Sequence, residues 1–201
     1  MIAYLLKYDL TKKQIAKYHY ECPFVSLRYF NDTKCPYFVK NLNEYRWKPI
    51  IISDVLQEVE NVLYFDSSIV FQNQANESIK DIFEKMNTNF SKCGLRLFGT
   101  TSHTIFAATN PKMLDIFNFS KQTAQAHLMY SASSLFLTPK SLNIVSKWNE
   151  CALEKACMAP EGSQIYCNNE KLRNGKYANC HRFDQSALAL LTLQCKKPNG
   201  N

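Results

Sequence analysis

A chain of 201 residues suits one α/β domain with at most a short tail. Hydrophobic residues at 46% and charged residues at 20% exclude a disordered chain and allow a packed core. The net charge of +7 is spread out, with no basic run and no nucleic-acid module motif, so it reads as a solvated surface or a general attraction for phosphate-bearing ligands.

In chain order, Tyr4 to Tyr8 reads as a strand that stops at Asp9. Thr11 and Gln14 form a capping box that opens a helix. Phe24 to Leu27 reads as the next strand. After a loop with Cys35-Pro36, Pro49 suits a first helical position, and Ile51, Val55 and Val59 recur at four-residue spacing. Asn61 hands this helix to the apolar strand Val62–Phe65. Strand, helix, strand, helix, strand predicts a mostly parallel sheet with flanking helices. Further on we expect a helix over Ser78–Met86, strands over Leu95–Gly99 and His127–Phe136, and a helix from Thr138-Pro139 toward Cys157. Residues 158–180 read as loop, and "DQSALALLTL" as a last helix with Asp184 in its capping region. The fold expected is a single α/β domain over residues 1–195 followed by a polar tail, 196–201.

Eight cysteines show no CxxC spacing, which argues against a zinc ribbon or a thioredoxin motif. Five of them lie beyond residue 150, in the loop-rich part. That pattern suggests disulfides and an oxidising compartment; buried free thiols are the plainer alternative. Four N-x-S/T sequons, at Asn31, Asn76, Asn89 and Asn118, point the same way. The N-terminus shows no signal peptide, and no apolar run has transmembrane length. A secretory reading therefore calls for sequence upstream of Met1, and a chain that starts at Met1 would be cytoplasmic.

Asp66 stands where strand Val62–Phe65 ends, followed by Ser67 and Ser68. In open α/β sheets ligands bind beyond the carboxyl ends of parallel strands. A carboxylate there can hold a divalent cation, which in turn neutralises a diphosphate. The two serines leave room for a phosphate or bond to it. Phosphatases of the haloacid dehalogenase type need a second aspartate two residues on, and Ser68 removes that proton donor. Nucleotide-sugar transferases also favour an Asp-x-Asp pair, but water can replace one metal ligand. The plainer alternative is an Asp that caps a turn. The stretch "CHRFDQSAL" supplies a second cluster: Arg182 for phosphate, with His181 and Asp184 as acid–base candidates at a helix start. An Asp N-cap with a solvated Arg is its plainer counterpart. His103 and His127 read as core or edge histidines.

Together, "YRWKPIIISDVLQEVENVLYFDSSIVF", "CALEKACMAPEGS" and "CHRFDQSALALL" resemble an uncharacterised animal family expanded in nematodes, domain of unknown function 1647. That family looks like a branch of the GT-A nucleotide-diphospho-sugar transferases. The resemblance runs from about Tyr8 to Leu193. It implies a Golgi or secreted type II membrane protein, held to the membrane only through an anchor upstream of this chain. It implies transfer of a sugar from a nucleotide-sugar donor to a glycan or protein acceptor, with Mn²⁺ or Mg²⁺ on the diphosphate. On this reading Asp66 is the metal ligand, Ser67, Ser68 and Arg182 hold the donor, and Asp184 with His181 supplies the catalytic groups. Two departures stand out. Asp66-Ser67-Ser68 lacks the second acid, and Tyr4–Tyr8 corresponds to the second strand of a GT-A series, so the first strand is missing. The alternative function is a non-catalytic luminal or secreted module that keeps the fold.

Overall fold

A computed structural model describes residues 1–6, 9–72, 77–90 and 92–196, with backbone alone at 89 and 90. The expected end of the first strand at Tyr8, the sequon asparagine Asn76, Ser91 of the Asn89 sequon, and all of the tail beyond Lys196 lie outside the described residues. The chain is a mixed α/β protein with small sheets, mostly antiparallel, and its contacts gather into two units, Met1–Lys40 and Asn41–Asn201.

The first unit is a strand–helix–strand motif. Strands β1 (Ile2–Leu5) and β2 (Ser26–Tyr29) pair in parallel, with Ile2 opposite Ser26 and Leu5 opposite Tyr29. Helix α1 (Lys12–Glu21) joins them. Its start is the expected capping box: the Thr11 side chain accepts from the Gln14 N–H, and Gln14 returns a bond to the Thr11 N–H. The strands lie about two residues from where hydrophobicity alone put them, because a four-residue pairing is decided by its partner as much as by its own pattern.

The second unit contains helices α2 (Trp47–Leu56) and α3 (Ile79–Lys85), with strand β3 (Val62–Phe65) between them. Strands β4 (Leu95–Leu97) and β5 (Thr100–Thr104) follow, then short helices α4 (Pro111–Ile116) and α5 (Lys121–Gln125). Next come strands β6 (Leu128–Tyr130) and β7 (Ser134–Leu137) and helices α6 (Leu142–Leu153), α7 (Lys155–Met158), α8 (Asn169–Arg173) and α9 (Phe183–Lys196).

Here the parallel expectation fails. β7 lies between β3 and β4 and runs antiparallel to both, with Val62 and Leu95 each opposite Leu137. β5 and β6 form a separate antiparallel pair. The strand–helix–strand rule assumes that strands consecutive in sequence are neighbours. Instead, β3 finds its partner across α3, β4, β5, α4, α5 and β6. The single strand expected over His127–Phe136 is two strands, broken at Ser131–Ser133, where the Ser131 and Ser133 hydroxyls bond to each other at 2.6 Å. That break lets one segment serve two sheets.

α9 carries the core. Leu188, Leu190 and Leu191 are all at least 98% buried, so the helix is apolar nearly all round and other elements enclose it. Each such side chain stabilises the fold by about 2 kcal/mol relative to exposure. Trp148 of α6 is fully buried, and its indole N–H donates to the Asp184 carbonyl at 3.0 Å. α2 packs Ile51, Ile52 and Leu56 into the same interior. Arg46, also fully buried, donates to the carbonyls of Ala152, Glu154 and Lys155, satisfying the C-terminal end of α6. Gly94 must lack a side chain: its φ is +61°, and a Cβ there would lie 2.5 Å from the Ser141 amide nitrogen.

Three disulfides tie this unit: Cys93–Cys195, Cys151–Cys157 and Cys167–Cys180. They fit an oxidising compartment. Among the described residues no helix is long and apolar enough to cross a membrane.

Candidate functional site

Asp66 leaves β3 on a fixed backbone. Its N–H donates to the Ser133 carbonyl at 2.9 Å, and its carbonyl accepts from the Ile69 N–H at 3.0 Å, closing a turn over Ser67 and Ser68. The carboxylate therefore comes off the strand next to the Ser131–Ser133 break. The Tyr64 hydroxyl donates to its Oδ1 at 2.5 Å, and burial together with that bond pushes the Tyr64 phenol above its ordinary range. Asp66 Oδ2 has no hydrogen-bond partner among the described residues, on a side chain one third exposed.

Asp184 reaches the same place from the first turn of α9. It is 5% exposed and is a helical residue rather than the N-cap. The chain enters α9 through Phe183 at φ +33°, an unfavourable value for a residue with a Cβ. Packing holds that strain: the Phe183 ring is buried and meets the His181 ring edge-on at 5.0 Å. Gln185 fixes the start of the helix by donating from Nε2 to the Tyr130 carbonyl at 2.8 Å.

Between the two carboxylates stands Lys48, one residue into α2 and 4% exposed. Its Nζ is 2.9 Å from Asp184 Oδ2, 3.4 Å from Asp66 Oδ1 and 3.3 Å from the Ala132 carbonyl oxygen, to which it donates. Asp184 Oδ2 is buried and receives the ammonium off the direction a hydrogen bond needs. The rings of Tyr45, Trp47 and Tyr64 stand 5.5, 5.9 and 5.5 Å from Nζ. Burial alone would lower the Lys48 pKa, but Asp184 and then Asp66 outweigh it and hold it above the ordinary lysine value. Burial pushes Asp184 up against the pull of Lys48. The Lys48 direction follows from geometry, since an ammonium this close to two acidic side chains is favoured in its protonated form.

These groups line a cleft of about 160 Å³, together with Tyr45, Ser131, Ser133, Ile165, Arg182 and Gln185. The Arg182 backbone is pinned, its N–H donating to the Ala108 carbonyl at 3.0 Å. Its guanidinium makes no ion pair and no side-chain hydrogen bond among the described residues, and its charge helps to hold the His103 pKa down.

Of the residues expected from sequence, Asp66, Arg182 and Asp184 therefore meet in one cleft. Ser67 and Ser68 do not line it; they are the exposed corner of the turn that Asp66 closes. His181 does not line it either. It is fully buried, with Nδ1 accepting from the Asn110 N–H and Nε2 directed at the Met158 carbonyl, both at 3.1 Å. This places the single ring proton on Nε2 and occupies both nitrogens. Burial pushes its pKa down to about 4, so it stays neutral and holds three segments together instead of transferring protons. His103 is buried, as expected of a core histidine, and His127 is exposed.

Sequence reasoning missed Lys48. Its signal was present: a lysine at i, with Ile51 and Ile52 at i+3 and i+4, shares the apolar face of α2. A buried ammonium needs a counter-ion, and the carboxylates it meets are 18 and 136 residues away.

The oxygens that an expected Mn²⁺ or Mg²⁺ would use lie around Lys48 Nζ. The carboxylates that would bind it already surround an ammonium, and among the described residues no three His, Cys, Asp or Glu side chains gather into a metal set. Comparison with curated proteins gives no match, and comparison with solved structures gives none. Residues 1–53, a stretch that includes Lys48, match the family described as "Protein of unknown function (DUF1647)", which supports the family that the sequence motifs resemble.

Proposed function

We propose that this chain is a glycosyltransferase-like protein of the secretory pathway, moving a sugar from a nucleotide-sugar donor to a glycan or protein acceptor. One observation carries the reading: Asp66 at the end of β3 and Asp184 at the start of α9 line one polar cleft together with Arg182. In this reading Arg182 receives the donor diphosphate, with the N-terminal end of the fourteen-residue α9 beside it. The open Oδ2 of Asp66 accepts from sugar hydroxyls. The GT-A likeness enters here as part of the proposal, and the mostly antiparallel small sheets lend it no support.

The burial of Asp184 against Lys48 favours a second reading, a carbohydrate-binding module without catalysis, because a carboxylate held that way is poorly placed to activate an acceptor. Calorimetry separates the two. The folded, disulfide-intact chain is titrated with uridine and guanosine diphosphates and their sugar conjugates, and the same protein is applied to a glycan array. Transfer predicts heat with one nucleotide family, weakened about tenfold or more by Arg182→Ala. Glycan binding with no nucleotide heat overturns transfer in favour of the module.

A further inference from the structure

We propose that Lys48 is the built-in cation of this cleft, standing where a divalent metal would stand and making donor binding independent of one. Three oxygens of different origin converge on its Nζ: Asp184 Oδ2 at 2.9 Å, the Ala132 carbonyl at 3.3 Å and Asp66 Oδ1 at 3.4 Å. Two carboxylate oxygens and a backbone carbonyl are the donor types that hard cations take. A metal bonded to those oxygens at about 2.0–2.6 Å would sit nearly in contact with the ammonium, charge against charge.

The lysine is also built in. Its stem leaves a helix whose Ile51, Ile52 and Leu56 are in the core, and its ammonium faces Tyr45, Trp47 and Tyr64. A surface lysine that had swung in would have neither the buried stem nor the aromatic walls. Lys48 offsets one of the two carboxylate charges, so an anionic ligand meets a smaller repulsion in a cleft that Arg182 also lines. The ligand class, a nucleoside diphosphate, rests on the reading proposed above. The exclusion of metal rests on the position of Lys48 alone.

The test has two arms, so that the two ideas fail separately. In the first, Mn²⁺ alone is titrated into the intact chain and its free electron paramagnetic resonance signal is followed. The native protein should take up none, and Lys48→Ala, which frees the oxygen set and leaves room for water, should take up one ion per chain. Uptake by the native protein that Asp66→Asn abolishes overturns the proposal. A folded Lys48→Ala chain that binds no Mn²⁺ overturns it as well. If Lys48→Ala fails to fold, as judged by near-ultraviolet circular dichroism, the native titration still decides. In the second arm, nucleoside diphosphate binding to the native chain is measured in excess chelator and again in Mn²⁺. Affinities within about twofold of each other are expected, and binding that requires Mn²⁺ overturns the proposal. Absence of nucleotide binding in both conditions removes the transferase reading, while the Mn²⁺ titration still judges Lys48.

Discussion

His181 and Lys48 are both buried titratable groups, and they are satisfied in opposite ways. His181 is kept neutral by burial, with both nitrogens given to backbone partners. Lys48 is kept charged by two carboxylates. The histidine therefore makes stability depend on pH with a definite sign. Its folded pKa of about 4 lies below the ordinary 6.5, so the unfolded chain takes up a proton that the folded chain refuses. Stability is complete above pH 6.5 and is lost as pH falls toward 4, by roughly 3 kcal/mol from this residue. His103, lowered mainly by burial, acts with the same sign. Urea midpoints measured at pH 7 and pH 4.5 on native protein and on His181→Gln should show a distinctly smaller drop in the variant. Equal drops would remove His181 as the cause. From sequence, "CHRFD" looked like one acid–base cluster, but neighbours in a chain need not point the same way. Arg182 and Asp184 line the cleft, and His181 faces Asn110 and Met158.

At the level of elements, the cleft depends on a few joints rather than on one sheet. Cys93–Cys195 joins the approach to β4 to the last turn of α9 across 102 residues. Cys167–Cys180 closes a separation of 13 residues beside the cleft segment, and Cys151–Cys157 one of 6 at the α6–α7 break. Loop-closure entropy then ranks them. Replacing each pair with alanines should cost about 5 kcal/mol for Cys93–Cys195, about 3 for Cys167–Cys180 and about 2 for Cys151–Cys157. Guanidinium unfolding under non-reducing conditions reads the order directly, and a long link that costs less than either short one contradicts it. The helix starts at Thr11 and Ser78 and the strand Val62–Phe65 were legible in sequence because capping and periodicity act within a few residues. In the segment from Thr100 to Gln125 only His103, as a core or edge histidine, and the sequon at Asn118 were read, and no element was bounded. Its five-residue strand and two short helices are too brief for periodicity to register.

Taken whole, the second unit, Asn41–Asn201, holds all three disulfides, the three-stranded sheet and the buried helix α9. Among its described hydrophobic residues the first unit buries only Val25 and Val39, and α1 buries none. Its share of the core is small for a segment of that length. Residues 41–201, produced alone in an oxidising compartment, should therefore unfold in one cooperative step, with fluorescence and near-ultraviolet circular dichroism coinciding. A broad transition with separate midpoints would show that the first forty residues are needed for that core. By itself the sequence determined several local elements, the apolar character of the last helix, a cysteine pattern that suits disulfides and the candidacy of Asp66, Arg182 and Asp184. Each of these follows from residue type within a short window. Only the tertiary structure decided that β3 pairs antiparallel with β7, that His181 is a core residue, and that Lys48 bridges the two acids. Those outcomes depend on which distant segments come together, and pairing over tens of residues leaves no periodicity in the chain to read.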